Sequence, residues 1–334
     1  MQPSTRASAP DGSEPDGSPT RRVLRLATRG SALARWQAEH VAGLLGVAVE
    51  FVIVDTKGDR VLDVPLHAVG GQGVFTKEVQ AAVLDGRADL AVHSCKDLPS
   101  SADLAPIGLV LACMTERGDP RDGLVGSTLA TLPDGGHVAT GSVRRRAQLA
   151  ALRPDLRFSD LRGNMQTRLE KAAGFDAIVA AVAGLDRLGE GARITEALSV
   201  DVLVPQVGQG ALAVECREDD AEMRSLLAAI EHAPTRVAVD AERAFLASLG
   251  SGCDLPVGAY ATFDDEPDRA GEGGGSGRGD GVGLRLTGLI ASVDGSRVVR
   301  GFATGPGDDP VGLGRHLAAR LLDVDGGRAL LAPP

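Results

Sequence analysis

In the stretch TGSVRRRAQL, residues 140–149, arginines gather at the wrong end of a predicted helix. Val138 to Thr140 reads as the end of a strand and Ser142 as a good N-cap, so Arg144, Arg145 and Arg146 fall in the first turn. A helix N-terminus already carries about half a positive charge, and each misplaced cation costs on the order of 0.3–1 kcal/mol unless an anion meets it. Three other predicted strand ends repeat the pattern. Arg29 stands beside Gly30 and Ser31, Lys96 and Asp97 follow His93 and Ser94, and Arg162 precedes Gly163 and Asn164 with Thr167 and Arg168 one turn on. Guanidinium groups grip carboxylates and phosphates bidentately and helix-start N–H groups add donors, so this set suits a small ligand bearing several acidic groups. At about 1.5–3 kcal/mol for each charge-assisted bond, a handful would hold such a ligand firmly.

Two residues among these cations could react. Asp97 is a carboxylate that nearby cations would keep ionised, placed to stabilise positive charge and to pass protons; the plainer alternative is an ion pair with Lys96 or an arginine. Cys253, in SLGSGCDLPVGAY, follows Gly250 and Gly252, which would leave its sulfur approachable as a nucleophile rather than packed as an inert thiol. No G-x-x-x-x-G-K-[ST] or G-x-G-x-x-G pattern is present, which disfavours the common nucleotide sites. The glycine cluster VGGQGVF, 69–75, reads as part of a mobile lid hinged on Gly58 and Gly70–Gly73.

Composition narrows the classes. A net charge of −10 and aromatic residues at only 3% argue against nucleic-acid binding, which wants a basic surface and stacking platforms. Four widely spaced cysteines without a C-x-x-C pair point to a reducing, cytoplasmic setting, and six histidines with no H-E-x-x-H pattern suggest no protein-held metal. No apolar run approaches membrane-spanning length, and residues 1–22 read as a disordered tail.

The elements that must hold these residues alternate. VLRLATR, VEFVIVDT and DLAVHS read as strands separated by the helices SALARWQAEHVAGLLG and KEVQAAVLDGRA. After a polar hinge-like stretch, Thr115–Asp122, a second series follows: HVAT, LRFSDL and FDAIVAAVAGL with helices after each. The C-terminal third differs, with a helix over Ala233–Leu249, three antiparallel strands and a last helix; residues 264–283 read as a flexible insertion. The fold class is therefore α/β: two α/β domains and a small C-terminal α+β domain, with ligands expected beyond the strand C-termini.

The stretches LRLATRGSALARWQ, VGGQGVFTKE, DLAVHSCKDLP, VRRRAQL, LRGNMQTRL, AVAGLDRLG, VGQGALAVECR and GSGCDLPVG, in this order, resemble the porphobilinogen deaminase (hydroxymethylbilane synthase) family from about Val23 to the C-terminus. The resemblance implies two periplasmic-binding-protein-like domains around a cleft: domain 1 over 23–113 and 211–228, domain 2 over 118–204, and domain 3 over 233–334. It implies a transferase that joins four porphobilinogen molecules, each carrying an acetate and a propionate, into linear hydroxymethylbilane with loss of ammonia. Cys253 would carry a dipyrromethane cofactor through a thioether, and Asp97 would be the catalytic carboxylate, steadying the cation formed on deamination. Lys96, Asp97, Thr140, Ser142, Arg144, Arg145 and Arg168 would hold the cofactor, while Arg29, Ser31, Gln37, Lys77 and Arg162 would receive the incoming pyrrole. The implied protein is a cytoplasmic monomer in tetrapyrrole (heme) biosynthesis, without metal, nucleic acid or membrane. A non-catalytic two-domain binder of a small polycarboxylate is the alternative. Departures are few: Gln72 stands where lysine is frequent, Ala139 and Gly141 replace a glycine and a serine, and Ser251 replaces a glycine.

Overall fold

The computed structural model describes residues 23–60, 73–101, 106–250, 255–263 and 283–331. The 1–22 tail, Gln72, Ser251, Cys253 and all but the last residue of the 264–283 stretch lie outside the described residues. Three sheets organise the described residues.

The first is built from β1 (Leu24–Arg29), β2 (Val49–Val54), β3 (Leu90–Ser94) and β4 (Leu109–Met114), with the helices α1 (Ala32–Leu45), α2 (Lys57–Arg60) and α3 (Lys77–Leu84) between them. The second follows: β5 (Asp122–Val125), β6 (His137–Ala139), α4 (Val143–Leu152), β7 (Arg157–Ser159), α5 (Met165–Lys171), β8 (Ala177–Ala181), α6 (Val182–Arg187) and β9 (Glu196–Leu198). The chain then returns as β10 (Leu212–Arg217) and α7 (Ala221–Ala228). It closes with α8 (Ala233–Ser248), β11 (Val257–Phe263), β12 (Gly283–Ala291), β13 (Val298–Pro306), α9 (Pro310–Ala319) and α10 (Arg328–Leu331).

The first two sheets share one plan. Their orders are β2-β1-β3-β10-β4 and β7-β6-β8-β5-β9, each with three parallel strands, then an antiparallel strand and an edge strand. The antiparallel insert comes from a chain crossing: β10 returns from the second sheet to lie between β3 and β4, and β5 enters the second sheet directly from β4. Two crossing segments, 115–121 and 199–211, therefore connect the sheets, and the first carries the Gly118 N–H bond to Gly210 O at 3.1 Å.

Local chemistry sets where the helices start. Ser31, Ser142 and Asn164 each accept a bond from the N–H three residues on, at 3.3, 3.4 and 3.0 Å, and so begin α1, α4 and α5 immediately beyond strands β1, β6 and β7. β8 is buried throughout, and β3 is buried up to the half-buried Ser94 that leads into the Lys96 turn. In the third unit, a β11-β12-β13 meander packs Leu284, Leu286 and Ile290 against Phe245 of α8 and Leu313 and Leu317 of α9. No helix among the described residues is long and apolar enough to cross a membrane.

Candidate active site

The anion met by the arginines of α4 belongs to the protein. Asp122, the first residue of β5, is fully buried and accepts from Arg144 Nη2 at 2.7 Å and from Arg145 Nε at 2.9 Å. Sequence reasoning placed Asp122 in a polar hinge and left these guanidinium groups waiting for a ligand; the correction is that two buried cations required an internal counter-charge. Arg144 also donates to Val204 O at 2.6 Å and Arg145 to Val179 O at 3.1 Å, so both side chains are fixed. Burial opposes ionisation of Asp122, yet Arg144, Arg145 and a bond from Gln209 hold its carboxyl far below the usual carboxylate range. One donor is left over: Arg144 Nε is buried and has no partner among the described residues.

Lys96 and Asp97 sit in the tight turn that follows β3. Lys96 Nζ donates to Gln209 Oε1 at 3.2 Å, and Gln209 turns its amide to Asp122 Oδ1 at 2.9 Å and to the Pro120 carbonyl at 2.8 Å. One buried glutamine thus joins the Lys96 turn, the crossing segment and the α4 arginines. Burial pushes the Lys96 ammonium down to about 8, Arg145 and Arg144 push the same way, and Asp97 and Asp122 oppose them. Gly208, next to Gln209, has φ +69, and a Cβ there would lie 2.9 Å from Cys95 Sγ, so only glycine lets this crossing segment press on the turn.

Arg168 joins from α5. Burial lowers it to about 10, with Arg145, Arg162 and Arg29 lowering it further and Asp97 raising it. Arg168 thus feels Arg145, Arg162, Asp97 and Arg29, and Lys96 feels Arg145, Arg144, Asp97 and Asp122. Arg168 Nε donates to Gly163 O at 2.9 Å. Thr140 is buried and its Oγ1 accepts from Ser142 N at 3.2 Å; Gly141 between them has no room for a side chain, since a Cβ would meet Leu161 O at 2.9 Å.

The remaining predicted residues are placed as follows. Arg29 donates to Asp59 through the Nε–Nη2 edge of its guanidinium, Nε at 3.0 Å, and lies over the Phe75 ring at 4.3 Å. Ser31 caps α1, and the buried Gln37 donates to Ser94 Oγ at 2.8 Å, bracing the residue that leads into Lys96. Lys77 opens α3 and is exposed, and no contact among the described residues ties it to the cation cluster. Gly58, expected as a hinge, lies in α2, where the Phe75 ring fills the space a side chain would take; Gly70 and Gly71 lie outside the described residues.

Comparison with known proteins gives this arrangement a family. Residues 24–225 match the model described as porphobilinogen deaminase, dipyromethane cofactor binding domain, and residues 237–323 match porphobilinogen deaminase, C-terminal domain. The chain belongs to the porphobilinogen deaminase family. Porphobilinogen deaminases of Nitratidesulfovibrio vulgaris (strain DP4) and Roseiflexus sp. (strain RS-1) are 46% and 48% identical, aligned over 92% and 93% of this chain and 95% and 99% of theirs. Among solved structures, the VFT2 domain of Bordetella pertussis BvgS aligns with a TM-score of 0.36 at 19% identity, covering 62% of this chain and 86% of that one.

A porphobilinogen deaminase of this family needs room for the cofactor's carboxylates, and the described residues fit that group. Asp97 and Asp122 oppose the lowering of Lys96, Asp97 opposes that of Arg168, both cations remain lowered, and among the described residues the Arg144 Nε donor is still unsatisfied. Asp59, Asp122 and Gln209 were not found from sequence. The only signal for Gln209 was its place between Gly208 and Gly210 in VGQGAL; an isolated aspartate gave none for the other two.

Proposed function

We propose that this chain catalyses head-to-tail condensation of four porphobilinogen molecules into hydroxymethylbilane, releasing one ammonia at each step, in the cytoplasm and as a monomer. The observation that carries this reading is the bonded network Lys96–Gln209–Asp122 with Arg144 and Arg145, set beside Asp97 in the same turn as Lys96, in a chain whose family is named for that reaction. The dipyrromethane cofactor, held through Cys253, supplies a primer with a nucleophilic pyrrole carbon.

In this reading Lys96, Arg144, Arg145 and Arg168 neutralise the cofactor's acetates and propionates, with the Thr140 and Ser142 hydroxyls donating beside them. Arg29, Ser31, Gln37, Lys77 and Arg162 receive the incoming pyrrole; for Arg29 this requires sharing its guanidinium with Asp59. In each step the substrate C–N bond breaks, its nitrogen leaves as ammonia, a C–C bond forms to the chain end and that end loses its ring proton. Asp97 is half-buried next to Lys96 and acts on both Lys96 and Arg168, where its carboxylate would face a pyrrole N–H, steady the cationic carbon and take up the proton. The sheet plan supports domain 1 as 23–113 with 211–228, domain 2 as 118–204 and domain 3 as 233–334.

Intact-protein mass spectrometry tests this reading. Protein made where porphobilinogen is available should carry the mass of two pyrrole units, Cys253→Ala should carry none, and Asp97→Ala should carry the adduct yet fail to turn over. A wild-type chain at its bare sequence mass would favour the non-catalytic polycarboxylate binder.

A further inference from the structure

The turn bearing Lys96 and Asp97 is gripped from several sides. At its start, His93 Nε2 lies 3.1 Å from Glu215 Oε2 of β10, and Gln80 of α3 donates to both oxygens of that carboxylate at 3.1 and 2.9 Å. In its middle, Gln206 Nε2 donates to Lys96 O at 3.3 Å and Cys95 N bonds to Ala211 O at 3.0 Å. At its end, Arg243 Nη2 donates to Pro99 O at 2.7 Å. The first grips come from the two-sheet body; Arg243 comes from α8, which packs on the third sheet.

We propose that Arg243 is a positioning residue for the condensation: by holding the Pro99 carbonyl it fixes the Asp97 turn to helix α8, so that the turn and the third unit keep one register. This deepens the proposed function and rests on it. Three features of the structure support the assignment. Arg243 reaches out of its own unit to the Pro99 carbonyl, its Nη1 is buried without a hydrogen-bond partner among the described residues, and its charge is felt by both Glu215 and Cys95, which flank the turn. Its neighbour Glu242 locks the same stretch of α8: it binds Arg117 Nη1 at 2.6 Å, Gly208 N at 2.8 Å and Ala261 N at 3.0 Å. With the helix clamped there, the Arg243 fork has a fixed base from which to reach the turn. A displacement of the turn by about 1 Å is enough to cost a reaction on the order of a hundredfold when atoms must meet in a set geometry.

The experiment compares Arg243→Leu and Arg243→Lys with wild type by intact mass, thermal unfolding and steady-state kinetics with porphobilinogen. Arg243→Leu is expected to carry the two-pyrrole adduct and to keep KM within about twofold while kcat falls about 10- to 100-fold. Arg243→Lys, which retains a donor for the Pro99 carbonyl, should recover kcat to within about fivefold of wild type. An Arg243→Leu protein with kcat within twofold of wild type overturns the proposal. So does one that arrives unloaded or unfolded with activity proportional to its loaded fraction, or an Arg243→Lys no better than Arg243→Leu, since each makes Arg243 merely structural. A wild-type chain without adduct or turnover would instead count against the proposed function, leaving the two failures distinguishable.

Discussion

Replacing Asp122 with asparagine keeps its shape and removes the charge on which two buried guanidinium groups depend. Arg144 and Arg145 are 3% and 6% exposed and Asp122 is 0% exposed, so water cannot take over the lost role. Breaking a buried pair by removing one partner costs about 3–5 kcal/mol, because the other charge stays buried and uncompensated. Against a typical total stability of about 5–15 kcal/mol this is a large fraction. At about 2–4 °C per kcal/mol for a unit of this size, the unfolding midpoint should fall by at least about 6 °C at pH 7 in calorimetry. The deficit should persist in 1 M salt, since screening barely reaches buried charges. It should also narrow in acid. The folded carboxyl titrates far below its unfolded value, so the stabilisation is complete above the unfolded value of about 3.9 and is lost as pH falls below it toward the folded one. A midpoint within about 2 °C of wild type at pH 7, or a deficit erased by salt, would refute the view that Asp122 neutralises the α4 arginines.

Lys96, lowered to about 8, keeps its ammonium at neutral pH and loses it as pH rises through that value. Assembly of the cofactor on the unloaded protein should therefore fall as pH rises through about 8, and Lys96→Arg, which cannot deprotonate in this range, should move that fall up by at least about one pH unit; an unmoved fall would assign it to another group. Gly208→Ala should cost about 1–3 kcal/mol in urea unfolding, from left-handed backbone strain and the clash with Cys95 Sγ, and an unchanged midpoint would show that the crossing segment yields.

What the sequence revealed about this site was local. A cation directly after a short apolar run, with serine, asparagine or glycine beside it, marks a strand end feeding a helix, and Ser31, Ser142 and Asn164 do cap α1, α4 and α5. The partners of those cations were not legible because topology supplies them. Asp122 lies 22 residues from Arg144 and reaches it only because β5 inserts antiparallel beside β8. Asp59 lies 30 residues from Arg29 and Gln209 lies 113 from Lys96. Strands β4, β5 and β9 escaped periodicity as well: β5 and β9 have only four and three residues, too few to show alternation, and β4 runs apolar without it. The return of β10 into the first sheet came from the family resemblance, since no period in GALAVECR distinguishes an insert strand from a sheet edge.

The buried aspartate also bears on how a strongly acidic chain can receive an acidic ligand. Had every cation of the cluster been paired internally, a polycarboxylate would have had to displace an existing ion pair, gaining little for each new bond. Had none been paired, like charges a few ångströms apart would repel by several kcal/mol at an effective dielectric near 20. Asp122 takes up the two arginines of one helix turn, while Lys96 and Arg168 keep pKa values of about 8 and 10 that register unmet repulsion and burial. Bound carboxylates would relieve that repulsion, raising both values. The ligand would thus be held by charge the fold leaves unbalanced, even though the net charge of −10 is of the opposite sign, because the field inside a cleft is set by the groups lining it and the distant surface is screened.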